Sequence, residues 1–372
     1  MSARLRVPRA LSLVVLAIVA MSTLVLAACS SEDDATSAPT TPTSEAATAS
    51  ATGAGASASA TEATSTPEPR DITFMAGFRA QANLPFVAVY VADAEGFFAE
   101  EGLNVDIRHS SGQDEHLKLL LDGEIQFTTG TAAQVARRAQ EGIPMRAIAL
   151  FGQRGDQGYV SMADSGIATP ADFAGHSVGF KAGVVPAELI AMLAGASLTP
   201  DDVNLVGVGF DPRVFMEGGV DVYPVFLNNE PDTIRSAGFD INVIDPADFG
   251  VPTLGVTYLT NDETLADTDL VERFLRATMR ATYWIENHRD EAIEITLRYA
   301  EGADPAHQRY LLDTDIAAAQ RADGRIGMSD PAQWSALIDL LVQYDVIEGP
   351  VEVDRVIDQS VLQRLYEEGA FE

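Results

Sequence analysis

The sequence predicts an α/β protein of two lobes, each an open, mainly parallel sheet flanked by helices, followed by a helical carboxyl-terminal tail. Short apolar segments alternate with amphipathic helical segments from residue 71 to about residue 260, a rhythm typical of parallel sheets covered by helices. This alternation runs in two successive series, and only helical patterns follow it. We therefore expect two α/β units and a tail of helices.

The elements follow in order along the chain. The first series predicts strands at 72–78, 105–109, 125–128 and 145–151 and helices at 86–98, 115–122 and 132–141. The second predicts a helical turn at 171–174, strands at 176–181, 203–208, 220–226 and 241–244, and helices at 186–194 and 212–216. A strand at 257–259 precedes helices at 269–287, 289–299, 305–321, 330–344 and 358–368. The expected lobes are 71–157 with 255–372, and 158–254, joined by hinge crossings at 154–160 and 249–256.

The amino-terminal segment predicts export and lipid attachment. Basic residues precede an apolar run that begins at Leu11 and ends in Leu26-Ala27-Ala28-Cys29, the only cysteine in the chain. The run is too short to span a bilayer comfortably, and small residues at its end are typical of a secretory signal. The spacing resembles the lipobox of bacterial lipoproteins, which implies a signal peptide at 1–28 and a lipid on Cys29. A signal-anchor helix with an incidental cysteine is the alternative.

Residues 29–70 predict a disordered tether. The segment after Cys29 is nearly all Ser, Thr, Ala, Gly and Pro, with a few acidic residues and no large apolar residue before Asp71. Such a composition does not bury enough surface to offset the entropy of ordering. A flexible chain of this length reaches roughly 35 Å.

Charge and cysteine content exclude several classes of protein. The chain has 24 Lys and Arg against 55 Asp and Glu, a formal net charge of −31. Nucleic-acid binding depends on basic patches, so a nucleic-acid partner is not expected. With Cys29 committed to lipid, no disulfide is available, and packing must stabilise the fold.

Several stretches carry a resemblance to a known family. The first, residues 89–105, reads VYVADAEGFFAEEGLNV, an alanine-containing helix, a Gly-Phe-Phe end, Glu-Gly-Leu and a strand. Four more follow in order: LDGEIQF at 121–127, DFAGHSVG at 172–179, GGVDV at 218–222 and NNEP at 228–231. Together they resemble the substrate-binding proteins of ABC importers in the thiamine-precursor, taurine and alkanesulfonate group. FGVP at 249–252 resembles a segment of the pyrimidine-binding branch.

The resemblance implies a type II periplasmic-binding-protein fold and a monomer that closes two lobes over a small ligand. Membership of the pyrimidine and riboflavin branch implies a heteroaromatic vitamin, with riboflavin first and a thiamine pyrimidine precursor, formylaminopyrimidine or hydroxymethylpyrimidine, as the alternative. It also implies delivery to a permease with ATPase subunits, on the extracytoplasmic side of the cell membrane. Riboflavin would be cargo, so no cofactor is expected.

The candidate site lies in the loops after the carboxyl ends of the strands, where open α/β sheets bind ligands. Aromatic faces, amides and a carboxylate suit a flat, neutral, nitrogen-rich ring. The candidate ligand-binding residues are Asn83, Phe86, Thr128, Thr129, Thr131, Lys181, Tyr223, Asn228, Asn229 and Glu230. Tyr223 is the expected stacking face, whereas Phe226 alternates with Val222 and is expected in the core.

Most of the candidates also fit a structural role. The three threonines equally fit the cap of the helix that follows them. The two asparagines are turn formers, Glu230 fits the first turn of a helix, and Lys181 fits a solvated rim.

The signatures of zinc proteases and of phosphate-binding loops are absent from the sequence. It contains no His-Glu-x-x-His or Gly-x-x-x-x-Gly-Lys motif. His109 and His116, with two acidic residues between them, are the single hint of a metal cluster, and we expect surface positions and no metal. Pyrimidine synthases of this fold rely, as the resemblance implies, on a cysteine-rich segment that this chain lacks. The alternatives from other classes are an extracytoplasmic hydrolase using Glu230 with Asp211 and a purely structural surface lipoprotein.

Overall fold

The computed structural model describes residues 68–112, 114–181, 183 and 185–371. The predicted signal peptide, Cys29 and almost all of the predicted tether lie outside the described residues. The strands are Arg70–Ala76 (β1), Leu103–His109 (β2), Phe127–Thr131 (β3), Met145–Leu150 (β4), Gln157–Met162 (β5), Ser177–Phe180 (β6), Asn204–Gly207 (β7), Val222–Phe226 (β8), Ile241–Ile244 (β9) and Val256–Asn261 (β10).

The described helices include six that follow the last strand, five of which the sequence predicts. They are Leu84–Ala94 (α1), Phe97–Glu100 (α2), Glu115–Leu121 (α3), Ala132–Gln140 (α4), Ala187–Gly195 (α5), Arg213–Met216 (α6), Glu230–Ser236 (α7), Asp262–Ala266 (α8), Thr268–Asn287 (α9), Arg289–Tyr299 (α10), Pro305–Ala319 (α11), Pro331–Gln343 (α12) and Ser360–Glu367 (α13). Short 3₁₀ segments lie at Pro170–Phe173, Pro200–Asp202, Pro246–Phe249 and Val353–Arg355. None of the helices in the described ranges has the length and apolarity needed to cross a membrane.

The strands form two five-stranded sheets of the same design. The first has the order β2-β1-β3-β10-β4 and the second β7-β6-β8-β5-β9. In the first sheet β1 is parallel to β2 and β3, whereas β10 runs antiparallel to β3 and β4. In the second, β6 is parallel to β7 and β8, whereas β5 runs antiparallel to β8 and β9. The prediction of two open, mainly parallel sheets with a helical tail is confirmed, with one reversed strand in each.

The structure differs from the predicted elements at three places. The chain predicted as one helix from 86 to 98 is divided at Gly96, whose φ of +79° favours glycine, into α1 and α2. Strand β5 occupies part of the segment predicted as a hinge, because Gln157–Met162 pairs with both β8 and β9. Helix α7 is missing from the predicted elements, although Glu230 at its start fits the first turn of a helix.

Apolar packing on both faces of the sheets forms the core. On the first sheet, Phe274 of α9 stacks on Phe127 of β3 with ring centroids 3.9 Å apart, and α1 packs beside α9. A second buried cluster contains residues of both sheets together with the fully buried Trp334 of α12. Because α12 packs against α4 and α5, the two lobes share an apolar contact on this side.

The chain passes between the two sheets at two adjacent crossings, after β4 and before β10. Gly255 N donates to Gly152 O at 2.8 Å, and Gly152 N donates to Val256 O at 3.2 Å. A Cβ atom on Gly152 would lie 2.5 Å from Gly255 Cα, so the two crossings touch through their backbones. Arg154 donates to Asp245 and Asp248 at 2.6 Å each, which ties the first crossing to the second.

Candidate ligand-binding site

A partly buried carboxylate joins loops from both lobes. Asp315 lies on α11, a helix whose apolar side packs in the core of the first lobe. Its Oδ2 accepts from Asn83 Nδ2 and Leu84 N at 3.0 Å each, at the loop between β1 and α1. Its Oδ1 accepts from Asn228 Nδ2 at 2.7 Å, in the loop after β8 of the second lobe. Asn83 and Asn228, both predicted from sequence, are therefore brought together through a residue that was not.

The same face of α11 makes further contacts with the second lobe. Tyr310 Oη donates to Leu227 O at 3.0 Å. His307 places Nδ1 2.7 Å from Asp232 Oδ2 and Nε2 3.0 Å from Asn229 Oδ1. Helix α11 thus contacts consecutive residues of the loop that carries the predicted amides, and Asn229 contacts it through His307.

Lys181 and Glu230 form a buried ion pair in the second lobe. Their side chains are 12% and 7% exposed, and Lys181 Nζ donates to Glu230 Oε1. The other carboxylate oxygen accepts from Phe226 N at 2.7 Å. The ammonium group lies 5.0–5.3 Å from the ring centroids of Phe210, Tyr223 and Phe226, within the range of cation–π attraction. Lys181 is therefore not a solvated rim residue, and Glu230 begins α7 while its carboxylate is fully engaged.

Acidic groups gather around this junction. Burial, and after it the charge of Asp315, raises the pKa of Asp156 to about 6, and Glu188 and Glu230 add to the effect. Burial also raises the pKa of Asp315, against the opposing effect of the hydrogen bonds from Asn228 and Asn83. The junction is rich in hydrogen-bond acceptors, and Lys181 supplies a positive charge at Glu230.

The predicted threonines are engaged with the backbone. Thr131 caps α4 in a capping box, in which Gln134 N donates to Thr131 Oγ1 and Gln134 Oε1 accepts from Thr131 N. Thr128 Oγ1 donates to Met75 O, and Thr129 Oγ1 accepts from Gly77 N at 2.9 Å. Thr131 therefore caps a helix, as the structural alternative predicts. The hydroxyl of Thr128 binds β3 to β1, and that of Thr129 binds β3 to the turn that follows β1.

Both predicted aromatic residues lie in the core. Phe86 is buried on α1. The Tyr223 ring is fully buried and stacked near Phe215, and its hydroxyl donates to Gly209 O at 2.9 Å. Burial raises the pKa of Tyr223, and the charges of Glu230 and Asp211 raise it further. Neither ring has an exposed face in this arrangement, which corrects the expectation that Tyr223 offers one. Phe226, expected in the core, is only partly buried.

Two exposed aromatic residues occupy the positions expected of a stacking face. Phe78, 48% exposed, follows β1 in the first lobe, and Phe210, 62% exposed, follows β7 in the second. Both lie beyond carboxyl ends of parallel strands. In the sequence, Phe78 ends a predicted strand and Phe210 lies within a Gly-Phe-Asp-Pro turn. This turn was the sequence signal that could have indicated an exposed position for Phe210.

The histidines of the suspected metal cluster have structural partners. His116 is buried, with Nδ1 3.3 Å from Ser110 Oγ, so the expected surface position is wrong for this residue. His109 Nε2 lies 2.6 Å from Tyr90 Oη. Burial lowers the pKa of both imidazoles. Within the described ranges, no group of three or more His, Cys, Asp or Glu side chains is arranged to hold a metal ion.

The suggested hydrolytic pair is not assembled in this arrangement. Glu230 is buried and held by Lys181, whereas Asp211 is exposed and held by Arg213. Hydrogen bonds from Arg213 lower the pKa of Asp211, which keeps this carboxylate ionised. Each carboxylate thus has a cation of its own.

Comparison with known proteins agrees with this fold. The chain is 26% identical over 278 residues to a formylaminopyrimidine-binding protein of Halalkalibacterium halodurans, covering 72% of this chain and 84% of that protein. It is 25% identical over 286 residues to the riboflavin-binding protein RibY of Chloroflexus aurantiacus, covering 73% and 81%. A 4-amino-5-hydroxymethyl-2-methylpyrimidine phosphate synthase of Candida albicans is 23% identical over 59% of this chain and 69% of its own.

Solved structures show the same fold. The periplasmic aliphatic sulphonate binding protein SsuA from Escherichia coli superposes with a TM-score of 0.60 at 14% identity, over 79% of this chain and 92% of its own. The two-lobed periplasmic-binding-protein fold is therefore confirmed, and so is the resemblance on which it was expected. The family model described as NMT1/THI5 like matches residues 83–292, more than half of the chain. The chain belongs to the NMT1/THI5-like family.

Proposed function

We propose that this protein is an extracytoplasmic solute-binding lipoprotein of an ABC importer, which captures riboflavin and delivers it to a membrane permease. The observation that carries the proposal is the link from Asp315 to both Asn83 and Asn228. Hydrogen-bonding groups from two lobes converge there at the carboxyl ends of strands, where such sheets bind ligands.

The chemistry of the junction favours a flat, polar ring. Exposed phenyl rings follow strands in both lobes, at Phe78 and Phe210, and aromatic faces stack on heteroaromatic rings. Amides and carboxylates nearby suit the ring N–H groups of the ligand. The isoalloxazine ring of riboflavin has both properties, being large, flat and uncharged, with an N–H flanked by two carbonyl groups.

A thiamine pyrimidine precursor, formylaminopyrimidine or hydroxymethylpyrimidine, is the alternative ligand. Relatives named for riboflavin and for formylaminopyrimidine match this chain about equally, so their names do not decide between the two. Riboflavin is proposed because exposed aromatic rings follow strands in both lobes, at Phe78 and Phe210, and the loop after β8 carries the amides Asn228 and Asn229. A tricyclic ring covers more aromatic surface than a single pyrimidine does.

Fluorescence titration tests the ligand. The fluorescence of riboflavin should be quenched by the purified protein at micromolar concentration. The bound flavin should be recovered chemically unchanged. Tight binding of formylaminopyrimidine without flavin quenching would replace riboflavin by the alternative. Binding of neither would contradict the proposed function, and conversion of the ligand would indicate an enzyme.

A pair of matched variants tests the site. Phe210→Ala should weaken riboflavin binding about tenfold or more, because a stacked aromatic contact is worth about 1–3 kcal/mol. Phe249→Ala is the control, since Phe249 is also an exposed phenylalanine, 41% accessible, but lies on a 3₁₀ segment beside the crossing. Equal effects of the two substitutions would contradict the proposed location.

The membrane anchor is part of the same proposal. Lipid on Cys29 and a tether at 29–70 would hold the receptor near its permease at high effective concentration. Cys29→Ala should shift the protein from the membrane fraction to the soluble fraction and abolish labelling by a radioactive fatty acid. Retention of both in the variant would contradict lipid attachment at this residue.

A further inference from the structure

We infer that Asp315 is a positioning residue that fixes the amide of Asn228 so that the site selects ligands carrying a hydrogen-bond donor. The inference rests on the proposed binding function and adds a rule for specificity. It concerns a residue 87 positions from Asn228 in the chain, which the sequence did not single out.

The first step is that Asp315 is an acceptor on both oxygens. Leu84 N is a backbone donor and meets Oδ2 at 3.0 Å, so this oxygen accepts. Burial raises the pKa of Asp315, but the hydrogen bonds from Asn228, Asn83 and Leu84 oppose this and favour the ionised form. The ionised carboxylate has no donor to offer, so Oδ1 accepts as well. The group 2.7 Å from Oδ1 must therefore be the NH₂ group of Asn228, not its carbonyl oxygen.

The second step concerns the other end of that amide. With Nδ2 turned to Asp315, Asn228 Oδ1 points away from it and has no hydrogen-bond partner among the described residues. The residue is only 6% exposed. Yet no fully enclosed side-chain nitrogen or oxygen in the described ranges lacks a partner. The Oδ1 atom must therefore reach an accessible surface, and that surface adjoins the junction between the lobes.

The third step is the match to a ligand. A nearly buried acceptor without a protein partner favours a ligand N–H or O–H and disfavours an acceptor or an alkyl group in that place. Asp156, Glu188 and Glu230 interact electrostatically around the same junction, which adds to the preference for donors. If Asp315 became an amide, its NH₂ group would face Asn228, and Asn228 would turn its own NH₂ group outward.

The test compares riboflavin with 3-methylriboflavin, which lacks the ring N–H, on the full-length protein. The wild-type protein should bind riboflavin at least about tenfold more tightly than it binds 3-methylriboflavin. Asp315→Asn should bring the two dissociation constants within about threefold of each other. Asn228→Ala, which removes the oxygen and leaves Asp315 intact, should do the same. Far-ultraviolet circular dichroism and thermal melting establish that each variant is folded.

A matched control separates this effect from the loss of any Asn–Asp contact. Asn104 Nδ2 donates to Asp71 Oδ1 at 2.9 Å on an exposed strand, and Asp71→Asn should leave the ratio of dissociation constants unchanged. A wild-type ratio near one, or a ratio that both site variants preserve, would overturn the inference while leaving riboflavin binding intact.

The outcome distinguishes the inference from the proposed function. If wild type binds formylaminopyrimidine instead of a flavin, the same ratio is measured against its analogue with a dimethylated amino group. Loss of discrimination in the two site variants then supports the inference, and its persistence overturns it. Binding of none of these compounds by wild type would overturn the proposed function, and the inference with it.

Discussion

The buried pair of Lys181 and Glu230 offers the sharpest test of the energetics of the second lobe. Replacing Lys181 with Met keeps most of the apolar length of the side chain against Phe210, Tyr223 and Phe226 but removes the charge. Glu230, 7% exposed, is then left with the N–H of Phe226 as its hydrogen-bond donor. Breaking a buried ion pair on one side costs about 3–5 kcal/mol, because the remaining charge is uncompensated.

A second substitution separates charge from packing. Lys181→Met combined with Glu230→Gln removes both charges, and the Gln side-chain oxygen still accepts from Phe226 N. We expect the double variant to recover to within about 1 kcal/mol of wild type, since an ion pair replaced as a whole is often neutral.

Urea unfolding at pH 7 and 25 °C, followed by circular dichroism, measures these differences. Arg213→Met is the control, since Arg213 is exposed beside Asp211, and it should not measurably change stability. A loss below about 1 kcal/mol for Lys181→Met would refute the reasoning, as it would fall outside the range for buried pairs. A double variant no more stable than the single one would show that packing, not charge, dominates.

Three further predictions concern individual positions. Thr131→Val removes the cap of α4 and should cost about 1 kcal/mol in urea unfolding with no change in riboflavin affinity; a weakened affinity would make Thr131 a ligand contact. Asp156 has its pKa raised to about 6, so the unfolded chain ionises this carboxyl group at a lower pH than the folded protein does, and stability falls as pH rises from about 4 to about 6. Asp156→Asn should thus be more stable than wild type at pH 7, by up to about 3 kcal/mol, and equal near pH 3; equal thermal melting curves at both pH values would contradict this. Gly152→Ala places a Cβ 2.5 Å from Gly255 Cα and should lower the melting temperature, whereas Gly195→Ala, with open space around the added atom, should not; similar effects would argue against the close crossing.

The sequence predicted most elements because their residues repeat with the period of the element they form. Helix α9 places Leu270, Phe274 and Leu275 on its buried side, and such spacing is independent of the rest of the fold. Strand β5 carries no comparable signal, because Gly158 interrupts it. That glycine is required by packing, since a Cβ would lie 2.5 Å from a Leu227 methyl carbon. The constraint is tertiary and is not visible in the local sequence.

The site was predicted less well than the fold for the same reason. The loops after the strands were recognisable, and Asn83 and Asn228 lie in them. The alternation of residues along β8 did not show whether the Tyr223 ring is exposed, because β8 lies inside its sheet with both faces covered. The neighbouring residues Val222 and Tyr223 are both fully buried. Asp315 lies 232 residues from Asn83, on a helix whose sequence does not indicate a binding residue. Only the return of the chain to the first lobe places it between the amides.

The two lobes are joined by different kinds of contact on their two sides, and this difference bears on how a ligand enters. On one side α12 and the shared apolar cluster connect both sheets, so separation there would expose buried hydrocarbon. On the other side α11 meets the second lobe through hydrogen bonds from Asp315, Tyr310 and His307, and water satisfies the same groups at little net cost. Rotation about the crossings at Gly152 and Gly255 can therefore open the α11 side while the α12 side stays packed. The residues that contact α11 in the loop after β8 include the predicted ligand-binding amides, so we expect ligand contacts and lobe contacts to draw on the same groups and ligand binding to be coupled to closure.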